Sequence, residues 1–526
     1  MTGVGSLIRL ILRRDRLLLP VWILGLAAIT SSTAAGVLEL YSTEAARREW
    51  ASGIAGNPME LALVGPIFGD SAGAITSWQV GVRSLLGAAL AGLLTVVRHT
   101  RAEEDSGRRE MLGSTAVGRH AQLVAALIVS VVACCLTGLL TALALTGAGL
   151  PGGGSLALGL AIASVGCVCA GIGAVTAQAS ESAGGARGIG LIVLAVAYVL
   201  RALGDASGGA LSWLSPLGWA HRVRPFAGEQ WPVLLLPAAA TLALAGVAVA
   251  LSARRDLGAG LLPVRPGPAT ASPALRGPFS LAWRLHRTTL TGWVIGFCCA
   301  GAVLGGIAQS VTGQAGQSRQ LQDLIDYLGG GGRPVDGVFA LFLYILALAA
   351  AAYGVQVTLR ARTEELAGRA EPMLATPIGR LRWLGAHLLV AAAGSAAILA
   401  ALGLSGGLIF GLTSGNVAGE VPRLLGGALV YLPAVWIMIG VATLLYGLVP
   451  RAAVAGAWGI LVLNVLVFLL AQLPGVDDSI ASASPFIEIP KLPAAALSAA
   501  PLLILPAIAA VLTVAGMYGF RRRHLA

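Results

Sequence analysis

Apolar runs and short polar connections alternate along most of the chain. A helix that crosses a membrane needs about 20 consecutive, mostly apolar residues. On that template the pattern predicts twelve spans, at 17–37, 78–97, 121–147, 156–178, 187–203, 233–252, 288–309, 337–358, 383–412, 424–448, 453–472 and 497–519. Ahead of the first run, residues 6–16 place Arg9, Arg13 and Arg16 on one helical face and Leu7, Ile8, Ile11 and Leu12 on the other. This is the pattern of an amphipathic helix lying at the membrane surface, and 279–287 is expected to repeat it.

The polar connections carry a repeat. Residues 101–119 read RAEEDSGRREMLGSTAVGR and residues 362–380 read RTEELAGRAEPMLATPIGR. Without a gap, Arg101, Glu103, Glu104, Gly107, Arg108, Glu110, Thr115, Gly118 and Arg119 match Arg362, Glu364, Glu365, Gly368, Arg369, Glu371, Thr376, Gly379 and Arg380. The repeat extends outward. Arg13 and Arg16 before Trp22 match Arg284 and Arg287 before Trp293, and Ser215-Pro216 before the sixth span matches Ser484-Pro485 before the twelfth. Arginine clusters close both halves. An even number of spans per half inserts both halves in one orientation, as a parallel repeat. The expected architecture is therefore an all-α polytopic membrane protein of two six-helix units, 1–256 and 279–526, joined by a Pro- and Gly-rich linker at 257–278.

Composition agrees. Of the 526 residues, 56% are hydrophobic and only 11% charged. Soluble domains carry about 25% charge. The net charge of +11 lies in short arginine groups flanking apolar runs, which is a topology signal. It offers no basic, aromatic-rich domain for nucleic acid. Placing the N-terminus in the cytoplasm puts both charged repeats, Arg254, Arg255 and Arg521–Arg523 on the same side, as the positive-inside rule requires. The six cysteines all lie in apolar runs and read as packing residues. Four outer segments, 38–77, 204–232, 310–336 and 473–496, are longer than a connection requires. They read either as re-entrant elements covered by protein or as ordered outer loops.

Candidate chemistry is sparse. Glu104 with Arg108, and Glu365 with Arg369, stand at i,i+4 and predict a helical start to each repeated loop. The only lysine is Lys491, so a phosphate-cradling Gly-Lys-Ser/Thr loop is absent. No carboxylate falls within a predicted span, where a proton carrier is ordinarily found. No nucleophile and base stand together, and the six histidines form no ligand-spaced cluster.

The Glu-Glu-x-x-Gly-Arg-x-Glu…Ala-Thr-Pro-x-x-Arg loop after the eighth span, echoed after the second, resembles the loop between the second and third helices of type-two ABC exporter permeases. With the amphipathic N-terminal helix and six spans per unit, the chain looks most like the fused twelve-span actinobacterial permeases for polyketide antibiotics or multiple drugs. The resemblance implies a permease subunit in the bacterial plasma membrane, with both termini cytoplasmic, that exports hydrophobic or amphiphilic compounds. It implies no cofactor in this chain, and two copies of a separate ATPase subunit that hold ATP and Mg. Glu103, Glu104, Gly107, Arg108, Glu110, Glu364, Glu365, Gly368, Arg369 and Glu371 would couple to that partner. Ala116 departs from the pattern where the second copy has Pro377, so the two couplings need not be equal. In this family the second and fifth helices of each unit line the pathway, which points to Trp78, Gln79, Tyr198, Phe342, Tyr353, Gln356, Asn464 and Phe468, although helix packing is the ordinary role of such residues. The alternative, a major-facilitator-type proton antiporter, also has six-plus-six spans. Its loop motif is matched poorly, since Asp105 stands one position late and Thr100 replaces the leading glycine.

Overall fold

The computed structural model describes residues 2–55, 61, 64–108, 117–206, 209–255, 260–261, 277–315, 334–470, 484–495 and 497–523, with isolated positions at 270, 272, 273 and 275. It divides into two compact units, Met1–Gly267 and Pro268–Ala526. The division falls within 257–278, most of which lies outside the described residues, as do Glu110, Thr115, Ala116 and most of 310–336 and 473–483.

In the first unit the helices are α1 (Val4–Arg14), α2 (Leu18–Leu40), α3 (Glu44–Ala55), α4 (Ala72–His99), α5 (Arg101–Asp105), α6 (Ala121–Gly147), α7 (Gly152–Ala179), α8 (Ala183–Ala206), α9 (Pro216–Arg222) and α10 (Leu235–Arg254). In the second they are α11 (Pro278–Ala315), α12 (Pro334–Leu366), α13 (Ala370–Leu374), α14 (Arg380–Ser414), α15 (Val417–Leu429), α16 (Leu432–Leu448), α17 (Ala453–Leu470) and α18 (Ala499–Arg522). Among the described residues, eleven helical stretches are long and apolar enough to cross a membrane, α15 and α16 counting as one. The remaining expected span is the shorter apolar helix α17, which ends where the described residues end.

The two units use one packing plan. In the first, α4 packs on α7, α7 on α6, α10 and α8, and α2 on α4 and α6. In the second, α12 packs on α16, α16 on α18 and α17, α14 on α15, and α11 on α12 and α14. Lipid tails are as apolar as leucine, so hydrophobicity alone does not draw such helices together; close backbone approach does. A Cβ on Gly92 of α4 would lie 2.2 Å from the Gly166 carbonyl oxygen of α7. A Cβ on Gly447 of α16 would lie 2.0 Å from that of Gly516 on α18. Leu235, Leu242 and Val247 of α10, and Leu503, Val511 and Val514 of α18, are exposed, as expected of lipid-facing surface.

The amphipathic entry helix forms as α1, but only in the first unit does it stand apart from its span. Leu7 and Ile11 are buried with Ala121, Ala125 and Val129 of α6, whereas Leu12 is exposed. Asp15 ends α1, and its buried carboxylate takes His99 Nε2 at 2.6 Å and Arg98 at 3.0 Å. In the second unit 278–287 runs straight into the span as one helix, α11, which corrects the expectation of a second separate surface helix. His286, the counterpart of Asp15 when the paired arginines are matched, lies inside the helix instead. It bonds His387 of α14 at 2.9 Å.

The two Ser-Pro segments also match. Ser215 Oγ donates to the Ala197 carbonyl of α8 at 2.6 Å, and Ser484 Oγ donates to Asn464 Oδ1 of α17 at 2.8 Å. Leu217, Ala220 and Val223 in the first unit, and Phe486 and Ile489 in the second, are buried. The described parts of both Ser-Pro segments are thus packed within their units.

Candidate functional site

The repeated charged segment continues the second span of each unit. In the first unit the helix breaks at Thr100 (φ −118°, ψ −82°) and resumes as α5. In the second it runs unbroken to Leu366. Gly107 (φ +71°) and Gly368 (φ +67°) then end the helix in the left-handed conformation, with open space around each. The Gly107 amide donates to Glu104 O and the Gly368 amide to Glu365 O, each at 2.9 Å. Only glycine adopts this turn without penalty, which accounts for its presence at the same place in both copies.

The left-handed turn re-aims the following arginine and corrects the predicted pairing. Arg108 does not pair with Glu104, nor Arg369 with Glu365. Arg108 reaches back to Glu103, with Nε at 2.7 Å and Nη2 at 3.3 Å. Arg369 reaches back to Glu364 at 2.6 and 3.3 Å. The i,i+4 rule assumes continuous helix; once the helix stops, the partner is five residues away. Each glutamate has a second cation, Arg14 of α1 for Glu103 and Arg360, at 2.8 Å, for Glu364. Their carboxylates raise the pKa of Arg108 and Arg369 above the ordinary guanidinium value.

The second glutamate of each pair points inward. Glu104 accepts from Arg255 Nη1 at 2.9 Å and Nη2 at 2.7 Å, and from Arg101 at 2.5 Å. Arg255 Nε in turn donates to Gln178 Oε1 of α7 at 2.6 Å. Glu365 accepts from Arg523 Nη2 at 2.6 and 2.5 Å, and from the Tyr446 hydroxyl of α16 at 2.8 Å. Arg255 and Arg523 each cap the last helix of their unit. The arginines that close the repeat finish the arrangement: Arg119 donates to the Arg255 carbonyl at 2.8 Å, and Arg380 to that of Arg523 at 2.7 Å.

The four glutamates Glu103, Glu104, Glu364 and Glu365 are therefore engaged inside their own units, with side chains at most 10% exposed. The outward surface belongs to Arg108, Arg369, Gly368 and Glu371, with Gly107 half-buried. The copies also differ at Asp105. Asp105 accepts from the Ala183 amide at the start of α8 at 2.7 Å, whereas its counterpart Leu366 is exposed. From sequence, Arg255 and Arg523 stood only as topology signals, and Tyr446 was not singled out. The arginine cluster closing each half is the signal that could have found the role of the two arginines.

Of the pathway candidates, Trp78, Gln79 and Tyr198 lie in the first unit and the other five in the second. Trp78 donates to Gly65 O at 2.8 Å and meets Trp50 edge-on, while Gln79 beside it is half-buried. Tyr198 lies under the Arg201 guanidinium. Phe342 is half-buried against the core of the second unit, and Gln356 is exposed, taking Trp293 Nε1 at 3.2 Å. Tyr353 is fully buried, bonded to Val390 O and packed on Gly394. Asn464 bonds Ser484 and Ile460 O, and Phe468 stacks on Tyr344 at 4.4 Å. The last three are internal packing residues of the second unit.

An all-α chain of apolar spans, repeated in two units with one charged loop in each, is a polytopic membrane protein. The chain is 43% identical over 525 residues to the multidrug efflux system permease protein Rv1217c of Mycobacterium tuberculosis, covering 100% of this chain and 95% of that protein. Residues 275–521 match the family described as multidrug efflux system permease Rv1217c, C-terminal domain. The chain belongs to this family of efflux permeases.

Proposed function

We propose that this chain is the membrane subunit of an ATP-driven exporter of hydrophobic or amphiphilic compounds, including drugs, and that a separate ATPase dimer drives it. The two repeated loops face the cytoplasm in this reading, and each seats in one ATPase subunit, which holds ATP and Mg. The observation that carries the reading is the shared fold of the loops. In two sequences that match at only some positions, a left-handed glycine and a Glu–Arg fork leave an arginine outward, half-exposed, at the same point. A topology signal needs arginines but not this shape. The internal glutamates would hold the loop in form, and Arg108, Arg369 and Glu371 would meet the partner. Energy has to arrive from outside the chain, since its single lysine leaves no phosphate-binding loop. The name of the Mycobacterium tuberculosis relative, a permease of a multidrug efflux system, supports both the direction and the substrate class. For the pathway, Trp78, Gln79, Tyr198, Phe342 and Gln356 remain the residues to test.

The experiment is purification of the chain with and without its ATPase partner. The chain alone is expected to hydrolyse no ATP, and the complex to hydrolyse it. Arg108→Glu with Arg369→Glu is expected to lose the partner on co-purification while the chain still inserts. Full co-purification and normal efflux by that double variant would overturn the docking role.

A further inference from the structure

The loops are tied to more than the span from which they grow. In each unit one carboxylate, Glu104 or Glu365, gathers three elements. The loop supplies the glutamate, the last span supplies the arginine that caps it, and the fourth span supplies a neutral hydrogen-bonding side chain. That side chain differs: Gln178 binds the arginine in the first unit, and Tyr446 binds the glutamate in the second. The arginines also sit in different local sequences, Ala-Arg-Arg-Asp at 253–256 and Arg-Arg-Arg-His at 521–524. Different residues thus reach one geometry twice, and in both units the closing arginine of the repeat binds the carbonyl of that same capping arginine.

Charge-assisted contacts shielded from water are the strong kind. The Arg255 and Glu104 side chains are 5% and 3% exposed, and those of Arg523 and Glu365 are 15% and 6% exposed. The last span buries few of its own side chains. Only Pro237, Ala248 and Ser252 of α10, and Leu505, Ala509, Gly516 and Phe520 of α18, are buried. Each last span packs chiefly on the fourth span of its unit, and the arginine ties that packed pair to the loop.

Resting on the function proposed above, we infer that Arg255 and Arg523 are positioning residues that clamp each docking loop to the last span of its own unit. When the partner displaces a loop, the last and fourth spans move with the second. The clamp is a transmission element separate from the docking surface, because its residues point away from that surface.

The test compares Arg255→Gln, Arg523→Gln and the double variant in the complete complex, reconstituted in lipid vesicles with a fluorescent amphiphilic dye as cargo. Partner co-purification and ATP hydrolysis are expected to persist, while dye transported per ATP hydrolysed falls several-fold, most in the double variant. Hydrogen exchange is expected to rise in the last turns of α10 and α18. A purely structural role would lower binding, hydrolysis and transport together. Where a glutamine variant fails to accumulate, Arg255→Lys and Arg523→Lys keep the charge but lose the fork, and are expected to show the same split in milder form. An unchanged transport-to-hydrolysis ratio in both sets, or a parallel fall of all three readouts, overturns the clamp. If instead the wild-type complex shows no partner-dependent hydrolysis, the failure belongs to the proposed function.

Discussion

Arg108 closes a fork on Glu103, five residues behind it, because Gly107 between them turns the backbone into the left-handed region. Arg369 and Glu364 repeat the arrangement through Gly368. The turn at each glycine is therefore fixed by contacts within its own unit.

That shape depends on backbone conformation alone, since a Cβ at Gly368 would meet nothing within 4 Å. Gly368→Ala is expected to cost about 1–2 kcal/mol of local stability, the penalty for a left-handed L-residue, and to reduce efflux. Gly368→Asn is expected to cost less, because asparagine tolerates this conformation better than alanine. Efflux assays on both variants at matched expression check the order. An alanine variant that performs as well as asparagine would contradict it.

Close backbone contact is expected to make some glycines irreplaceable and others neutral. Gly447→Ala would put a methyl group 2.0 Å from the Gly516 carbonyl oxygen and should destabilise the second unit by about 1–3 kcal/mol or more. Gly246→Ala, where nothing lies within 4 Å, should leave stability unchanged or raise it slightly. Thermal unfolding in detergent distinguishes them.

His221 supplies a dependence on pH. Its ring is 13% exposed and lies in the first unit beside a cavity of about 40 Å³ that Trp78 and Phe68 also line. Burial lowers its pKa below 6.5 and nearby Arg201 pushes the same way, outweighing the Asp205 carboxylate 3.8 Å from Nδ1. The fold therefore favours the neutral ring. Its contribution is complete above the unfolded value of 6.5 and is lost as pH falls from there toward the lower folded value. Stability is expected to fall as pH drops below about 6.5 in the wild type, and to fall less in His221→Gln. Tryptophan fluorescence during thermal unfolding measures both. Equal acid sensitivity of the two proteins would assign the effect elsewhere.

Much of the fold was legible in the apolar pattern. Uninterrupted runs near the thickness of a bilayer leave helix as the only backbone that satisfies its own hydrogen bonds. Among the described residues each expected span is helical, although α11 begins at Pro278 rather than 288, α12 runs on to Leu366 rather than 358, and the tenth span is divided between α15 and α16. The match of Ser215 with Ser484 was legible too, and each serine bonds the fifth span of its unit. The entry helices were legible only in part. Whether the chain breaks before the span depends on whether Asp15 finds His99 and Arg98, a contact 83 or more positions away along the chain.

The sequence by itself determined the twelve apolar segments, their two-fold repetition, and the loop in which each copy concentrates its charge, because these follow from periodicity, composition and local identity. The tertiary structure alone decided what the charges do. A left-handed glycine changed the partner of each loop arginine from the fourth residue back to the fifth. Folding brought Arg255 and Arg523, read along the chain as topology signals, onto Glu104 and Glu365 across 151 and 158 positions. No local pattern encodes such a pair, because a buried carboxylate selects whichever cation the packed helices deliver to it.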